Sequence, residues 1–264
     1  MRRWRPASSW PCAVTTKAAL GTRSQELCSA CCHAEDLLSA GRCRLGDACV
    51  RANSGRQIDR FFRANPGEAE AYLLDEFWER RAVAARYSPL SAIRGLAKDS
   101  DEVVRRVVAM RLPPEELGSL AQDPDREVRI TVAQRLVPDD LSALAGDPDY
   151  MVRVIVARRL SHGKLVRLAQ DPEREVRKTV AARLPAFALG RLVADPDPEV
   201  RRIVAERALP EAAETLLDDP DWTVRLAAAG NVPREAVRAL LEDPEPDVRR
   251  VAWARLADLP EELP

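Results

Sequence analysis

The sequence has few of the residues on which most catalytic sites depend. It holds two histidines, His33 and His162, in 264 residues, and it contains no Gly-rich phosphate loop and no serine nucleophile elbow. No apolar run approaches the roughly 18 residues that a membrane-spanning helix requires. Positive and negative charges nearly balance, at 41 Lys and Arg against 42 Asp and Glu. We therefore predict a protein that is not an enzyme, takes no small-molecule substrate and does not engage a membrane.

Cysteine is also scarce, but its distribution is uneven. Five of the six cysteines lie within residues 28–49, and none follows them: Cys28, Cys31, Cys32, Cys43 and Cys49. An odd local number of cysteines and the lack of an apolar secretion signal argue against a disulfide framework. Four thiolates could instead hold an iron–sulfur cluster or a structural zinc ion. The separation of Cys43 from Cys49 is long for a zinc knuckle, so the spacing favours iron–sulfur and leaves zinc open.

From residue 75 onward the sequence repeats every 24 residues without an insertion. An aspartate marks each unit: Asp75, Asp99, Asp123, Asp147, Asp171, Asp195, Asp219 and Asp243. We number the positions of each unit from this aspartate, which is position 0. Position 1 is proline in six units, and position 6 is arginine in all eight: Arg81, Arg105, Arg129, Arg153, Arg177, Arg201, Arg225 and Arg249. Self-similarity at a fixed period indicates a repeat protein.

The pattern within a unit predicts two helical elements. Aspartate is a good N-cap and proline suits the first helical residue, so we expect a helix to begin at each Asp-Pro pair. Apolar residues at positions 5, 9 and 13, such as Val128, Val132 and Leu136, give this helix one apolar face. Prolines at position 14 or 15 end it. Leucines at positions 18 and 21, such as Leu141 and Leu144, suit a 3₁₀ helix, in which side chains three residues apart align.

Twenty-four residues accommodate one α-helix of about 10–12 residues and one short 3₁₀ helix. A single unit cannot bury its apolar side chains, whereas stacked units can. We therefore predict an all-α fold, an α-solenoid of eight repeats over residues 75–264. The first and last units depart from the pattern, with Arg80 in place of the usual Val and Trp253 in place of the usual Ala, so we expect them to cap the array.

The repeat pattern DPxxxVRxxVAxRLPxxxLxxLA resembles that of the leucine-rich repeat variant family, and the cysteine-rich segment ahead of it resembles that family's iron–sulfur domain. The resemblance implies a right-handed superhelix of alternating α and 3₁₀ helices, preceded by a small domain with a [4Fe-4S] cluster. We accordingly divide the chain into a disordered extension (1–23), a cluster domain (24–60), a connecting or capping segment (61–74) and the repeats (75–264).

Four cysteines are the expected ligands of this cluster. The segment GRCRLGDACV matches the family's cluster domain best, which implies Cys43 and Cys49. Cys28 and Cys31 form a Cys-x-x-Cys pair, which can deliver two sulfurs to one cluster. Cys32 is the alternative to Cys31, because adjacent residues point in different directions and are unlikely partners for one site.

Other side chains near the cysteines have less specific roles. We expect His33 to pack or to face solvent and not to bind metal, and Cys12 to lie outside the site. Four arginines are close in sequence: Arg42, Arg44, Arg51 and Arg56. They could stabilise the negative charge of a cluster held by four thiolates, or they could be ordinary surface residues.

The arginine at position 6 allows three interpretations. Repeated ion pairs with acidic residues of the same or the adjacent unit would explain its regularity, and we favour this interpretation. A row of arginines could also bind an acidic protein or the phosphates of a nucleic acid. The excess of acidic residues in the repeats and the small number of aromatic residues, 5% of the chain, argue against nucleic acid.

Taken together, these features predict an interaction scaffold. A curved repeat surface would bind a partner protein, and the [4Fe-4S] domain would have a redox or sensing role. The alternative is a nucleic-acid-binding solenoid whose metal domain, iron–sulfur or zinc, is structural. We expect a cytoplasmic location, because free thiols and clusters persist best in a reducing compartment.

Overall fold

The computed structural model describes Cys28 and residues 31–257. The chain divides into two compact units, residues 1–135 and 136–264. The regular structure of the described residues is helical, apart from an isolated antiparallel bridge between Arg44 and Ala48. None of the helices in these residues combines the length and the apolar character that crossing a membrane would take.

Nine helices of the described residues have ten or more residues. They are α1 (Gly55–Ala64), α2 (Trp78–Tyr87), α3 (Glu102–Arg111), α4 (Arg126–Arg135), α5 (Tyr150–Arg159), α6 (Arg174–Arg183), α7 (Pro198–Arg207), α8 (Trp222–Asn231) and α9 (Pro246–Ala257). A five-residue π-helix, Ala34–Leu38, precedes them. Helices α2–α9 are the first elements of the eight repeats.

The second element of each complete repeat is short. It is a 3₁₀ helix in three repeats: Pro114–Leu120, Asp140–Leu144 and Ala186–Leu192. In three others one α-helical turn leads into a 3₁₀ helix: Leu90–Ile93 with Arg94–Lys98, His162–Leu165 with Val166–Leu168, and Arg234–Val237 with Arg238–Leu240. The remaining one is the short α-helix Pro210–Glu214. The predicted 3₁₀ element is therefore found in most repeats, often after an α-helical turn.

The first helix of each repeat begins later than the sequence pattern predicts. It starts at position 3, and the residue at position 2 is its N-cap: Asp101 Oδ1 accepts the N–H of Val103 at 2.9 Å, and Asp149 Oδ1 accepts that of Met151 at 2.8 Å. The aspartate at position 0 accepts instead the N–H of position 2, as Asp99 does from Asp101 at 2.9 Å. The prediction that each Asp-Pro pair starts a helix was wrong, because this aspartate organises the preceding turn.

In the repeats with a proline at position 14 or 15, the first helix ends before that proline, as predicted. The C-cap residues Leu112 and Leu184 have extended backbones, with φ −60° and ψ 148° and φ −60° and ψ 144°. Each precedes a proline, Pro113 or Pro185, and a proline disfavours the helical conformation in the residue before it. The chain therefore leaves the first helix at position 13 and turns into the second element.

The apolar positions of the repeats form a core within each of the two compact units, residues 1–135 and 136–264. In the repeat that begins at Asp171, six side chains are at most 3% exposed: Val176, Val180, Ala181, Leu184, Leu189 and Leu192. Helix α6 packs against α7, and α7 packs against α8. A fully buried Val or Leu contributes about 1.5–3 kcal/mol, so each repeat depends on its neighbours to cover these side chains. The predicted all-α solenoid is confirmed, and its right-handed sense stays a prediction.

Within each of the two compact units, arginine at position 6 joins one repeat to the next. Arg177 donates from Nε and Nη2 to both carboxylate oxygens of Asp195, at 2.7 and 3.0 Å, and from Nη1 to the carbonyl of its own Asp171 at 2.8 Å. The pairs of this kind that the structure describes are Arg81–Asp99, Arg105–Asp123, Arg153–Asp171, Arg177–Asp195, Arg201–Asp219 and Arg225–Asp243. We call this contact the forward clasp. It matches the favoured interpretation of the arginine series.

A second series of side chains, at position 12, binds repeats to the ones before them within each of the two compact units. Arg183 Nη1 donates to the carbonyls of Ala157 and Leu160, at 2.7 and 2.8 Å. Arg111, Arg135, Arg207 and Arg255 likewise donate to carbonyls at the end of the preceding first helix. Asn231 takes this role in its repeat. A guanidinium there satisfies carbonyls that lack helical partners and complements the negative end of the helix dipole. We call this contact the backward clasp.

A repeat-like pair of helices also precedes the first repeat. Helix α1 is followed by the 3₁₀ helix Pro66–Tyr72, which has the same place relative to Asp75 as Pro114–Leu120 has relative to Asp123. Ala69 and Tyr72, 0% and 5% exposed, stand where the repeats have leucines.

Helix α1 connects the cysteine-rich segment to the repeats. It packs against α2, and the Tyr87 hydroxyl donates to Asp59 Oδ1 at 2.9 Å. The predicted boundary between residues 60 and 61 therefore falls inside α1. The other predicted boundaries stay predictions, and the predicted extension 1–23 lies outside the described residues.

Removing one carboxylate of the forward clasp should strongly destabilise the protein. In D195A, the Arg177 guanidinium would keep its buried place, where its side chain is 10% exposed, without its carboxylate partner. We expect a loss of about 3–5 kcal/mol in the free energy of unfolding, as for a broken buried ion pair, measured by urea denaturation. The matched control is E206A, which removes the exposed pair of Glu206 with Arg202. It should cost at most about 0.5 kcal/mol, and equal losses in the two variants would contradict the role of the clasp.

Candidate metal centre

Four cysteines line one small pocket in the cysteine-rich segment: Cys28, Cys31, Cys43 and Cys49. Cys43 and Cys49 are 5% and 6% exposed, and the other two are partly exposed. The rest of the wall is formed by His33, Ala34, Leu38, Val50 and Arg51. The structure therefore brings together the four cysteines that are predicted to be ligands.

A tight loop places Cys43 and Cys49 side by side. The bridge between Arg44 and Ala48, with N–H to carbonyl at 2.8 Å, closes the loop just inside the two cysteines. Gly46 at its tip has φ +74°, in the left-handed region that a residue with a side chain rarely adopts. The separation of Cys43 and Cys49 along the chain therefore does not prevent them from contributing to one site.

Helix α1 fixes this loop in place. Gln57 Nε2 donates to the carbonyl of Gly46 at 2.8 Å, and the N–H of Cys49 donates to the carbonyl of Gln57 at 3.2 Å. Arg60 Nε lies 3.1 Å from Asp47 Oδ1. Because α1 is also the helix that packs against the first repeat, the cysteine loop is built on the same element that begins the array.

A compact turn carries the other two cysteines. The N–H of Cys31 donates to the carbonyl of Cys28 at 3.1 Å, and the N–H of Ala34 donates to the carbonyl of Cys31 at 3.0 Å. Cys32 is exposed and is not part of the pocket wall, and its Sγ lies 3.8 Å from the Tyr72 hydroxyl. This arrangement supports Cys31 over Cys32 as the fourth pocket thiol. Cys12 lies outside the described residues.

His33 lines the pocket but is engaged on its far side. Its Nε2 lies 2.8 Å from the Tyr72 hydroxyl, and its ring packs against Phe61 with centroids 5.1 Å apart. Burial lowers the pKa of His33, although Glu68 and Asp36 act in the opposite direction. These contacts agree with the expectation that His33 packs.

The pocket opposes ionisation of its own thiols. Burial, then the neighbouring sulfurs of Cys49, Cys31 and Cys28, raise the pKa of Cys43 to about 11. Burial and the sulfurs of Cys49 and Cys31 also raise the pKa of Cys28. Thiolates are the ligand form, so they require a positive centre among them, as metal ions provide.

Arg51 brings one further cation to this wall. Its Nη1 is buried and has no hydrogen-bond partner among the described residues. By contrast, Arg42 Nη2 donates to the carbonyl of Ala64 at 2.8 Å, and Arg44 and Arg56 are exposed. A buried donor without an acceptor is costly, and a cluster with four thiolates is negatively charged and rich in sulfur acceptors. The thiol set and this unpaired donor therefore fit an iron–sulfur cluster.

The four cysteines line one common pocket. Among Cys28 and residues 31–257, no three side chains of His, Cys, Asp or Glu are arranged to hold a single metal ion. In a cubane cluster each of the four thiolates binds a separate iron corner.

The position-6 arginines are unavailable for phosphate contacts in the pairs that the structure describes. The side chains of Arg105, Arg153 and Arg177 are 10–11% exposed, and both arms of each fork are taken by a carboxylate. Hydrogen bonds to these carboxylates raise the pKa of each guanidinium further. This geometry favours the structural interpretation of the series over a groove for nucleic acid.

Comparison with known proteins relates both the cysteine-rich segment and the repeats to leucine-rich repeat variant proteins. A family model described as "LRV protein FeS4 cluster" matches residues 23–71, and one described as "Leucine rich repeat variant" matches residues 174–197 and 222–245. A solved structure described as "a leucine-rich repeat variant with a novel repetitive protein structural motif" is 55% identical to this chain. The match covers 86% of this chain and 97% of that one, with a TM-score of 0.82.

A curated relative carries less information. The "uncharacterized 27.7 kDa protein in nifB 3'region" of Rhodobacter capsulatus is 40% identical over 82 residues. The match spans 31% of this chain and 34% of the relative, so about a third of its length is shared.

The reactivity of Cys43 without bound metal provides a test of the pocket. In protein freed of metal under reducing conditions, iodoacetamide should alkylate Cys43 more slowly than the partly exposed Cys31 at pH 8. Because the pKa of Cys43 is about 11, its rate should rise about tenfold per pH unit between pH 8 and 10, as the thiolate fraction grows. Peptide mass spectrometry measures both rates. Equal rates at pH 8 would contradict the burial of Cys43.

Proposed function

The chain belongs to the leucine-rich repeat variant family, and from this membership we propose that it is an interaction scaffold in which a [4Fe-4S] domain is joined to a surface of stacked helical repeats. The observation that carries the proposal is the set of four cysteine side chains around one pocket, whose wall also includes Arg51. The pocket rests on α1, and α1 packs against the first repeat.

In this proposal Cys28, Cys31, Cys43 and Cys49 hold the cluster. A bound cluster supplies a one-electron couple whose potential depends on burial, charge and hydrogen bonds around it. The chain's own residues set those conditions: the loop at Gly46 orients two ligands, and the contact of His33 with Tyr72 closes one wall. The role of the domain is therefore redox or sensing.

The repeats are proposed to bind a partner protein. Both arginine series are used for contacts between repeats, so binding would fall to the side chains between them. In residues 136–257 these include several exposed aromatic side chains: Tyr150 (41%), Phe187 (78%), Trp222 (41%) and Trp253 (60%). Trp and Tyr are frequent sources of binding energy at protein interfaces. We propose a binding role without catalysis, in the cytoplasm, where thiols stay reduced.

The metal content of protein purified without air tests the cluster and its ligands. We expect a brown protein with about four iron and four labile sulfide per chain. C43S and C49S should lose the iron, because each removes a buried pocket thiol. C32S is the control for a cysteine outside the pocket, since Cys32 is exposed and does not line it, and it should keep the cluster.

Two results would contradict this assignment. Colourless protein with one zinc per chain would support the zinc alternative. Loss of iron in C32S together with its retention in C31S would replace Cys31 by Cys32 as the ligand.

Fluorescence anisotropy with labelled DNA and RNA tests the nucleic-acid alternative. We expect no binding at 50 mM salt, because the forward clasps occupy the arginine forks. Binding that falls steeply between about 50 and 200 mM salt would contradict the scaffold proposal and support phosphate recognition.

A further inference from the structure

The Arg51 side chain is partly buried, and its Nη1 is buried without a hydrogen-bond acceptor among the described residues. It lies in the chain directly after Val50, which is 1% exposed, and it shares the pocket wall with the four cysteines. Its Nη1 is buried, so water does not replace the missing partner. Folded proteins rarely leave such a donor unpaired, and where they do, a bound ion or ligand is one common explanation.

The polar groups at Tyr72, on which the Arg51 charge acts, are already used. The Tyr72 hydroxyl, which lies close enough for the Arg51 charge to act on it, is 2.8 Å from His33 Nε2. The Asp75 carboxylate, whose charge also acts on Tyr72, is bound by Arg80 Nη1 at 2.9 and 2.8 Å. Arg51 and the four cysteines line the same pocket.

A thiolate-bound cluster would supply the missing acceptor. Its sulfurs accept hydrogen bonds, and its net charge becomes more negative when it gains an electron. A cation buried beside it therefore stabilises the reduced form more than the oxidised form. Arginine suits this position because it stays protonated and is less strongly hydrated than lysine.

Resting on the proposed cluster, we propose that Arg51 is a positioning residue that donates from Nη1 to a sulfur of the cluster or of a ligating cysteine, and that it raises the reduction potential of the bound cluster. The proposal separates Arg51 from the other arginines of the segment. Arg42 is bound to the end of α1, and Arg44 and Arg56 face solvent.

Stability measurements should give opposite signs with and without the cluster. Without a cluster, R51M removes a buried unpaired donor while keeping much of the apolar stem, so the variant should unfold at a higher temperature than the wild type. With the cluster bound, R51M loses a charge-assisted hydrogen bond and should unfold at a lower temperature. A residue that served only to pack would shift both states in the same direction.

The deciding experiment is a spectroelectrochemical titration under nitrogen of the wild type, R51M, R51K and R44M. R44M is the matched control, because it removes one positive charge from an exposed arginine of the same segment. Iron and sulfide are counted first in each protein. We expect a more negative midpoint potential in R51M, a smaller shift in R51K, which keeps the charge, and no shift in R44M.

The outcomes separate this inference from the proposed function. A wild type without iron overturns the cluster, and the inference with it. Full iron in R51M with an unshifted potential overturns the role of Arg51 and leaves the cluster intact. If R51M assembles no cluster, R51K decides: a loaded R51K with a shifted potential supports the proposal, and an unshifted one overturns it.

Discussion

The forward clasp is the contact on which the register of the repeats depends. Burial of Val and Leu favours association of neighbouring units but is not directional. A bidentate guanidinium–carboxylate pair, by contrast, fixes the relative position of two groups. A buried pair is tolerable only when its other hydrogen-bonding groups are satisfied. Here Arg177 also donates to two carbonyls, and Asp195 also accepts the N–H of Asp197, so neither charge is left exposed to an apolar surface.

Much of the repeat architecture could be predicted, because the same solution occurs eight times in the sequence. The buried positions, the proline stops and the pairing of position-6 arginines all follow from the period. The start of the first helix could not be predicted from the period. N-cap rules consider only local partners, whereas the position-0 carboxylate is bound by an arginine 18 residues earlier. The backward clasp was missed although RL stands in the repeat pattern, because its acceptors are backbone carbonyls, which carry no sequence signature.

The cysteine-rich segment was predictable in composition but less so in arrangement. Cysteine spacing nominated a metal site, and a family resemblance nominated four ligands. The helices of residues 55–72 have no position-0 aspartate and no position-6 arginine, so the period gives no hint that they form a repeat-like pair. Nor could the sequence distinguish Arg51 from Arg44. Arg44 directly follows Cys43, and Arg51 is two residues after Cys49. Only the fold of the loop, with its bridge at Arg44, determines that Arg51 lines the pocket.

Both clasps join residues at fixed separations, 18 for the forward one and 23 and 26 for the backward one. Duplication or deletion of one whole unit would leave every remaining donor at the same distance from its acceptor. Insertion of a single residue between position 6 and the end of the first helix would change the separations in both series at once. The array can therefore change in length only in steps of 24 residues. Over evolution we expect repeats to be gained or lost as whole units, while the spacing inside a unit stays constant.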